Sequence, residues 1–206
     1  MNKFFIFNEF SKHRIVVSSG LVGCSLLLTA CAGASEFSWS SLSPFNWFDR
    51  SFNVSEQGVG NINQQTNMTQ SAIEQELEGK YHLRSGMETK DGKLISIIQG
   101  MENNQVKLEF YGSVNGKVNR IDVRDEDIKT IWGTKIGTLF SDVYDKAFGA
   151  CQRSNDFTTQ PTVICIAPQS QHVSYVFSGI WDGPEELMPS DDVLKDWKVS
   201  QIIWKY

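Results

Sequence analysis

The side chains whose chemistry depends most on spacing are the cysteines, four in all, and they fall into two pairs. Cys24 and Cys31 each follow a leucine and small residues, in Leu21-Val22-Gly23-Cys24 and Leu28-Thr29-Ala30-Cys31, within or at the end of an apolar run. A thiol in that setting is a candidate for lipid attachment, because small neighbours let the extended backbone into a peptidase. Cys151 and Cys165 enclose a stretch rich in Ser, Asn, Thr and Pro, with no CxxC spacing. A structural disulfide is therefore expected, not a redox pair. A nucleophile, base and acid can be assembled from Ser170, His172 and Asp191 or Asp192, but no GxSxG turn marks the serine. The competing reading makes His172 a strand residue that faces solvent or satisfies a buried carbonyl. The acidic stretch with Asp182, Glu185, Glu186, Asp191 and Asp192 offers the hard oxygens calcium takes, without the spacing of an EF-hand loop. It reads as a solvated loop with a helix cap at Ser190 or Asp191. His82 and His172 lack zinc spacing, and Gly58-Val59-Gly60 falls short of a dinucleotide fingerprint. No metal and no cofactor is expected. Trp132, Trp181, Trp197 and Trp204 would either line a pocket for an apolar or sugar ligand or pack a core, the commoner use of such rings.

The first thirty residues set the address. Lys3, Lys12 and Arg14 precede an uncharged run from Ile15 to Ala30, which is shorter than the roughly 18 apolar residues of a spanning helix and fits a secretory signal. The Leu-Thr-Ala-Cys and Leu-Val-Gly-Cys boxes resemble the lipobox of bacterial lipoproteins, whose cysteine becomes lipidated residue one. Two considerations choose Cys31 over Cys24. Cleavage before Cys31 keeps Leu26, Leu27 and Leu28 within the apolar segment. It also removes Cys24 with the signal, leaving Cys151 and Cys165 as an even pair for an oxidising compartment. Ala32, in place of an aspartate after the anchor, implies the outer membrane, and the three acyl chains of such an anchor make attachment effectively permanent. The expected organisation is a signal peptide at 1–30, a lipidated cysteine and Ser/aromatic-rich tether at 31–52, and a globular domain at 53–206 facing the periplasm. Phe37, Trp39, Phe45, Trp47 and Phe48 in the tether would lie at the lipid headgroups or on the domain itself. The chain is acidic, with 19 Lys and Arg against 24 Asp and Glu. No basic face for phosphate binding is visible, so nucleic acid is not an expected partner.

Strands and turns dominate beyond Asn53. Residues 69–79 place Ala72, Ile73 and Leu77 at helical spacing and end on a glycine suited to a C-terminal cap. Short β-type runs follow at 80–87, 94–98, 106–111 and 118–123, separated by Lys-Asp-Gly-Lys, Glu-Asn-Asn-Gln and Val-Asn-Gly-Lys. Asp-Gly and Asn-Gly are strong hairpin signals, so an antiparallel meander is predicted. Residues 138–149 predict a second helix: Thr138 to cap it, Gly149 to end it, and one apolar stripe of Leu139, Phe140, Val143, Tyr144, Ala147 and Phe148, with Asp142 and Lys146 paired on the wet side. Runs 172–177 and 199–204 alternate like half-buried strands. The expected fold class is α+β, a mainly antiparallel sheet with one or two helices packed on it in a single domain.

Four blocks together resemble a known family: Val54–Gly60, Tyr81–Met87, Lys135–Gln152, and above all Ser170–Tyr206. They are similar to the RpoE (sigma-E)-regulated lipoproteins of enteric bacteria, a domain family of unknown function. The resemblance implies synthesis under the envelope stress response and an outer-membrane-anchored domain facing the periplasm. It carries over no catalytic or ligand-binding residue. The function expected is non-enzymatic: binding an envelope protein or component, with the membrane engaged through the lipid. The alternatives are an envelope-acting hydrolase or transferase using His172 and nearby acids, and a carrier of a small apolar ligand.

Overall fold

A computed structural model describes residues 52–90, 92–154, 161–184 and 186–206. Strands β1 (Val54–Ser55) and β2 (Gly58–Val59) form a two-stranded ribbon and lead to helix α1 (Gln70–Leu77). Then come β3 (His82–Lys90), β4 (Lys93–Glu102), β5 (Gln105–Ser113) and β6 (Val118–Val123), followed by β7 (Cys151–Arg153), β8 (Thr162–Ile166), β9 (Val173–Ser178), a short helix α2 (Asp191–Leu194) and β10 (Lys198–Lys205). The last eight strands make one antiparallel sheet in the order β3-β4-β5-β6-β10-β9-β8-β7. This agrees with the expected mainly antiparallel α+β domain.

The turns explain the meander. Asn103 and Asn104 both adopt left-handed φ, of 50° and 62°, between β4 and β5. Two such residues form the mirror-image turn whose twist matches a hairpin, and asparagine tolerates it. Asn115 does the same before β6, with φ of 57°. In α1, the Thr69 hydroxyl accepts the Ala72 N–H, while Ile73 and Leu77 are buried.

Register separates the two faces of the sheet. A single core row runs through all eight strands, Leu83–Gly100–Leu108–Val123–Ile202–Tyr175–Cys165–Cys151. A second carries Ile98, Phe110, Ile121, Trp204 and Val173. Most of these side chains are shut off from solvent, each apolar one contributing about 1.5–3 kcal/mol for its burial. The opposite face carries a row Arg84–Gln99–Glu109–Asp122–Ile203, because successive residues of a strand point to opposite sides. Cys151 and Cys165 end the core row as direct cross-strand partners and are disulfide-bonded.

The predicted second helix is the main correction. Residues 138–149 form only one 3-10 turn at Phe140–Asp142. Their backbone is claimed by β10 and its approach: Gly137 N–H donates to the Val199 carbonyl at 2.8 Å, Val199 N–H to Thr138 at 2.9 Å, and Phe140 N–H to Trp197 at 2.8 Å. Thr138 does not cap a helix; its hydroxyl accepts the Lys135 N–H. The Asp191 carboxylate accepts the Ala147 N–H at 2.8 Å. A segment this short has little helical stability of its own, so tertiary partners for its N–H groups prevail. The stripe survives in part, since Phe140, Tyr144 and Ala147 are buried against the core, but Phe148 is 95% exposed. Without a helix, the expected Asp142–Lys146 pairing loses its geometry.

Phe52, which the sequence assigns to the tether, instead packs on the core, its ring lying over Gly60. A side chain at Gly60 would come within 2.5 Å of that ring, and φ there is +58°. Both facts require glycine. Cys31 and the aromatic residues 37–48 lie outside the described residues.

Candidate functional site

A cleft of about 630 Å³ lies at the end of α1. Helix α1 stops because Glu78 and Gly79 take left-handed φ, of 51° and 78°. The Lys80 N–H then returns to the Leu77 carbonyl at 3.0 Å. That reversal sets Glu76, Leu77 and Glu78 on one wall beside Lys80 and Tyr81; Phe52, Asn53 and Ser55 with Gly60, Asn61 and Ile131 make the rest. The recess is thus part apolar, from Phe52, Leu77, Tyr81 and Ile131, and part polar, from two amides and two rim carboxylates.

Asp125 fixes this wall from behind. Its residue is 2% exposed and its carboxylate accepts from the Tyr81 hydroxyl, from Lys80 Nζ at 3.1 Å and from the Asp127 N–H at 2.9 Å. Burial pushes its carboxyl upward, but the Tyr81, Asp127 and Lys80 donors outweigh that and hold it below the ordinary carboxylate range. Burial, then the hydrogen bond and charge of Asp125, raise the Tyr81 phenol far above its usual value. Tyr81 is therefore a fixed neutral donor. A recess of this kind can hold a ligand with an apolar body and a few polar groups. Sequence reading missed Asp125, whose partners lie 44 and 45 residues away; a short loop aspartate carries no local signal of such a role.

A second polar assembly lies on the outer face of the sheet. Arg84 donates to Gln99 at 2.9 Å, Gln99 to Glu109 at 2.7 Å, and Arg124 to the other oxygen of Glu109. Arg120 holds Asp122 through two bonds, of 2.6 and 2.8 Å, and lies over the Tyr111 ring. Burial raises the Asp122 carboxyl despite Arg120. Burial likewise acts upward on Glu109, where the hydrogen bonds from Arg124 and Gln99 prevail and hold it low.

The residues singled out from sequence are placed as follows. Ser170 and His172 do meet, but the acid beside them is Glu56. The Ser170 hydroxyl donates to Glu56 and accepts the N–H groups of His172 and Val173 at 3.1 and 3.0 Å. His172 sets Nδ1 2.9 Å from the Lys205 carbonyl, with Nε2 3.7 Å from Glu56. The ring stacks on Tyr206. The hydroxyl thus closes a turn; His172 lies in the bend just before β9 and not in the strand as expected, with its ring on the exposed Lys205 carbonyl. Asp191 is engaged with Ala147, so the predicted assembly with Asp191 or Asp192 does not form as a hydrogen-bonded triad. Trp197 and Trp204 are buried in the core, and Trp132 packs partly against it with its indole N–H on the Tyr175 hydroxyl. The indole N–H of Trp181 donates to Pro184 at 3.1 Å. None of the four lines the cleft. Helix α2 begins after Ser190, as the acidic loop reading expects, and no cluster of three or more His, Cys, Asp or Glu suited to a metal ion occurs among the described residues.

Comparison with known proteins gives consistent matches. The profile of a family described as "Protein of unknown function (DUF1131)" matches residues 36–206. A relative from Escherichia coli (strain K12), "Uncharacterized protein YfeY", is 49% identical over 185 residues, covering 90% of this chain and 96% of the relative. The crystal structure of the uncharacterized protein yfeY from Escherichia coli matches with a TM-score of 0.68 at 49% identity, covering 75% of this chain and 99% of that one.

Proposed function

The chain belongs to the DUF1131 family, a family of unknown function, and from that premise we propose that it is a lipoprotein of the bacterial envelope that works by binding. Cys31 carries the lipid, the anchor sits in the outer membrane, and the domain faces the periplasm, made under sigma-E control as an envelope-stress component. The Leu28-Thr29-Ala30-Cys31 box and Ala32 support the anchor and its address. The pairing of Cys151 with Cys165 fits an oxidising compartment and, with Cys24 leaving in the signal peptide, only Cys31 remains to carry the lipid. A short lipid tether raises the effective concentration of a weak binder at the membrane surface.

The observation that carries the binding reading is the cleft bounded by Phe52, Leu77, Tyr81 and Ile131. Lys80 and Tyr81 of its wall are tied to Asp125, and Phe52, the first of the described residues, lines it. Its mixed lining fits an envelope component with both apolar and polar groups. Catalysis plays no part in this reading, since the Ser170 hydroxyl is engaged on both its donor and acceptor sides.

Photo-crosslinking in cells tests it. Ile131 is 63% exposed on the cleft wall, and a photoreactive residue there should trap one discrete adduct under envelope stress. The same probe at Phe148, a still more exposed site outside the cleft lining, should not. Equal labelling from both positions would overturn the cleft as the binding site. Separately, Cys31→Ala should abolish lipid incorporation and Cys24→Ala should leave it intact; the reverse result would move the anchor.

A further inference from the structure

Strand β3 borders the sheet for its whole length. It pairs with β4 through nine consecutive partners without a register shift, and no strand among the described residues lies on its other side. Irregularities that would twist an edge away fall elsewhere, in the β4–β5, β5–β6 and β9–β10 pairings. There is no proline from His82 to Lys90. An edge of this kind is a template for another strand.

The charges on this edge are complementary to themselves. Arg84 and Glu88 lie two residues either side of Gly86, on the same outward face of the sheet. If β3 pairs antiparallel with β3 of a second copy about a two-fold axis at Gly86, Arg84 of each copy stands opposite Glu88 of the other. That creates two opposite-charge cross-strand pairs at once. The axis falls where strands approach most closely, at a residue with no side chain. Met87, 65% exposed, would come opposite Ser85 of the second copy and lose much of its contact with water. His82 would fall opposite Lys90, a pair that adds no attraction. Moving the axis to Met87 instead puts Arg84 opposite Lys90, like charge on like, so the charge pattern selects the Gly86 register. The hydrogen-bonded row Arg84–Gln99–Glu109 would then run on through Glu88 of the second copy.

We propose that a second copy of this chain docks on β3, joining two sheets into one through the Arg84–Glu88 pairs. Full-length protein in its own membranes tests this without a known ligand. No atom lies within 4 Å of a side chain built at Gly86, so Gly86→Cys is tolerated. It should give a disulfide-linked dimer on a non-reducing gel, whereas Arg84→Cys, four residues from its own copy across the pairing, should not. In detergent-solubilised protein, Arg84→Glu alone or Glu88→Arg alone should weaken dimerisation about tenfold or more, since each sets like charges opposite at both pairs. The double reversal should restore it, which also shows that the single variants did not fail by misfolding. A monomeric Gly86→Cys protein, equal crosslinking at positions 84 and 86, or a covalent adduct of Gly86→Cys with a different protein would overturn the proposal.

Discussion

At one edge of the sheet β7 is three residues long and is joined covalently to its neighbour through Cys151–Cys165, whereas at the other β3 extends for nine residues with only hydrogen bonds to β4. The core row passes through both, but its chemistry changes along the way. On the β7 side it ends in a disulfide between buried Cys165 and half-buried Cys151; on the β3 side only Leu83 of the edge strand is buried, and the remainder of β3 is exposed. A short stapled strand has little backbone to offer and cannot easily peel away. A long unstapled one relies on charged side chains to govern what pairs with it. The contrast suggests that one edge is closed for stability while the other is left open for use.

The largest effect should come from removing the staple. Replacing Cys151 and Cys165 together by alanine should lower stability by about 3 kcal/mol in the chain-entropy view of a disulfide, read as a shift of the denaturation midpoint. Hydrogen exchange in this variant should quicken at β7 and β8 before β3 and β4. If protection falls equally at both edges, the staple acts globally and the comparison fails.

A smaller effect is expected at the root of β3, where Asp125 ties down Lys80 and Tyr81. Asp125→Ala should cost about 2 kcal/mol, because it leaves the buried Tyr81 hydroxyl without its acceptor. Its pH dependence has a definite sign. The folded-state carboxyl titrates below its unfolded value, so its contribution is fully present above the unfolded value of about 3.9. It is lost as pH falls through the folded value. Wild type and variant should therefore converge in stability on acidification, by denaturation at stepped pH. A gap that stays constant into strong acid would show that Asp125 acts by packing alone.

The smallest change is at the open edge. Arg84→Ala removes an exposed bond to Gln99 and should alter the stability of the isolated monomer by no more than about 0.5 kcal/mol. A loss as large as that at Asp125 would mean that β3 is a structural strand and not an exposed docking edge.

Much of the meander was legible because its signals are local. Asp-Gly and Asn-Gly turns, alternation within β4 to β6, and the helical spacing and terminating glycine of α1 each depend on residues a few positions apart. The pairing of Cys151 with Cys165 was legible for a related reason, since assigning Cys31 to the lipid sends Cys24 out with the signal peptide and leaves one pair. The cleft was not. Its wall joins Phe52, the end of α1 and Ile131, and Asp125 reaches it only because the fold brings a loop beneath Tyr81. Glu56 beside Ser170 and His172 was missed in the same way, separated from them by more than a hundred residues.

The sequence by itself determined the strand meander, the position of α1, the disulfide partners and the expectation of a lipid at Cys31, because turn chemistry, side-chain alternation and cysteine parity act over short range or by elimination. Tertiary structure decided that residues 138–149 would not be a helix. Their apolar spacing fits one, but β10 and its approach offer their N–H groups partners that a short isolated helix cannot outcompete, so Phe140, Tyr144 and Ala147 reach the core along a different backbone path. It also decided which edge of the sheet stays open, since an edge exists only once every other strand has found its neighbour.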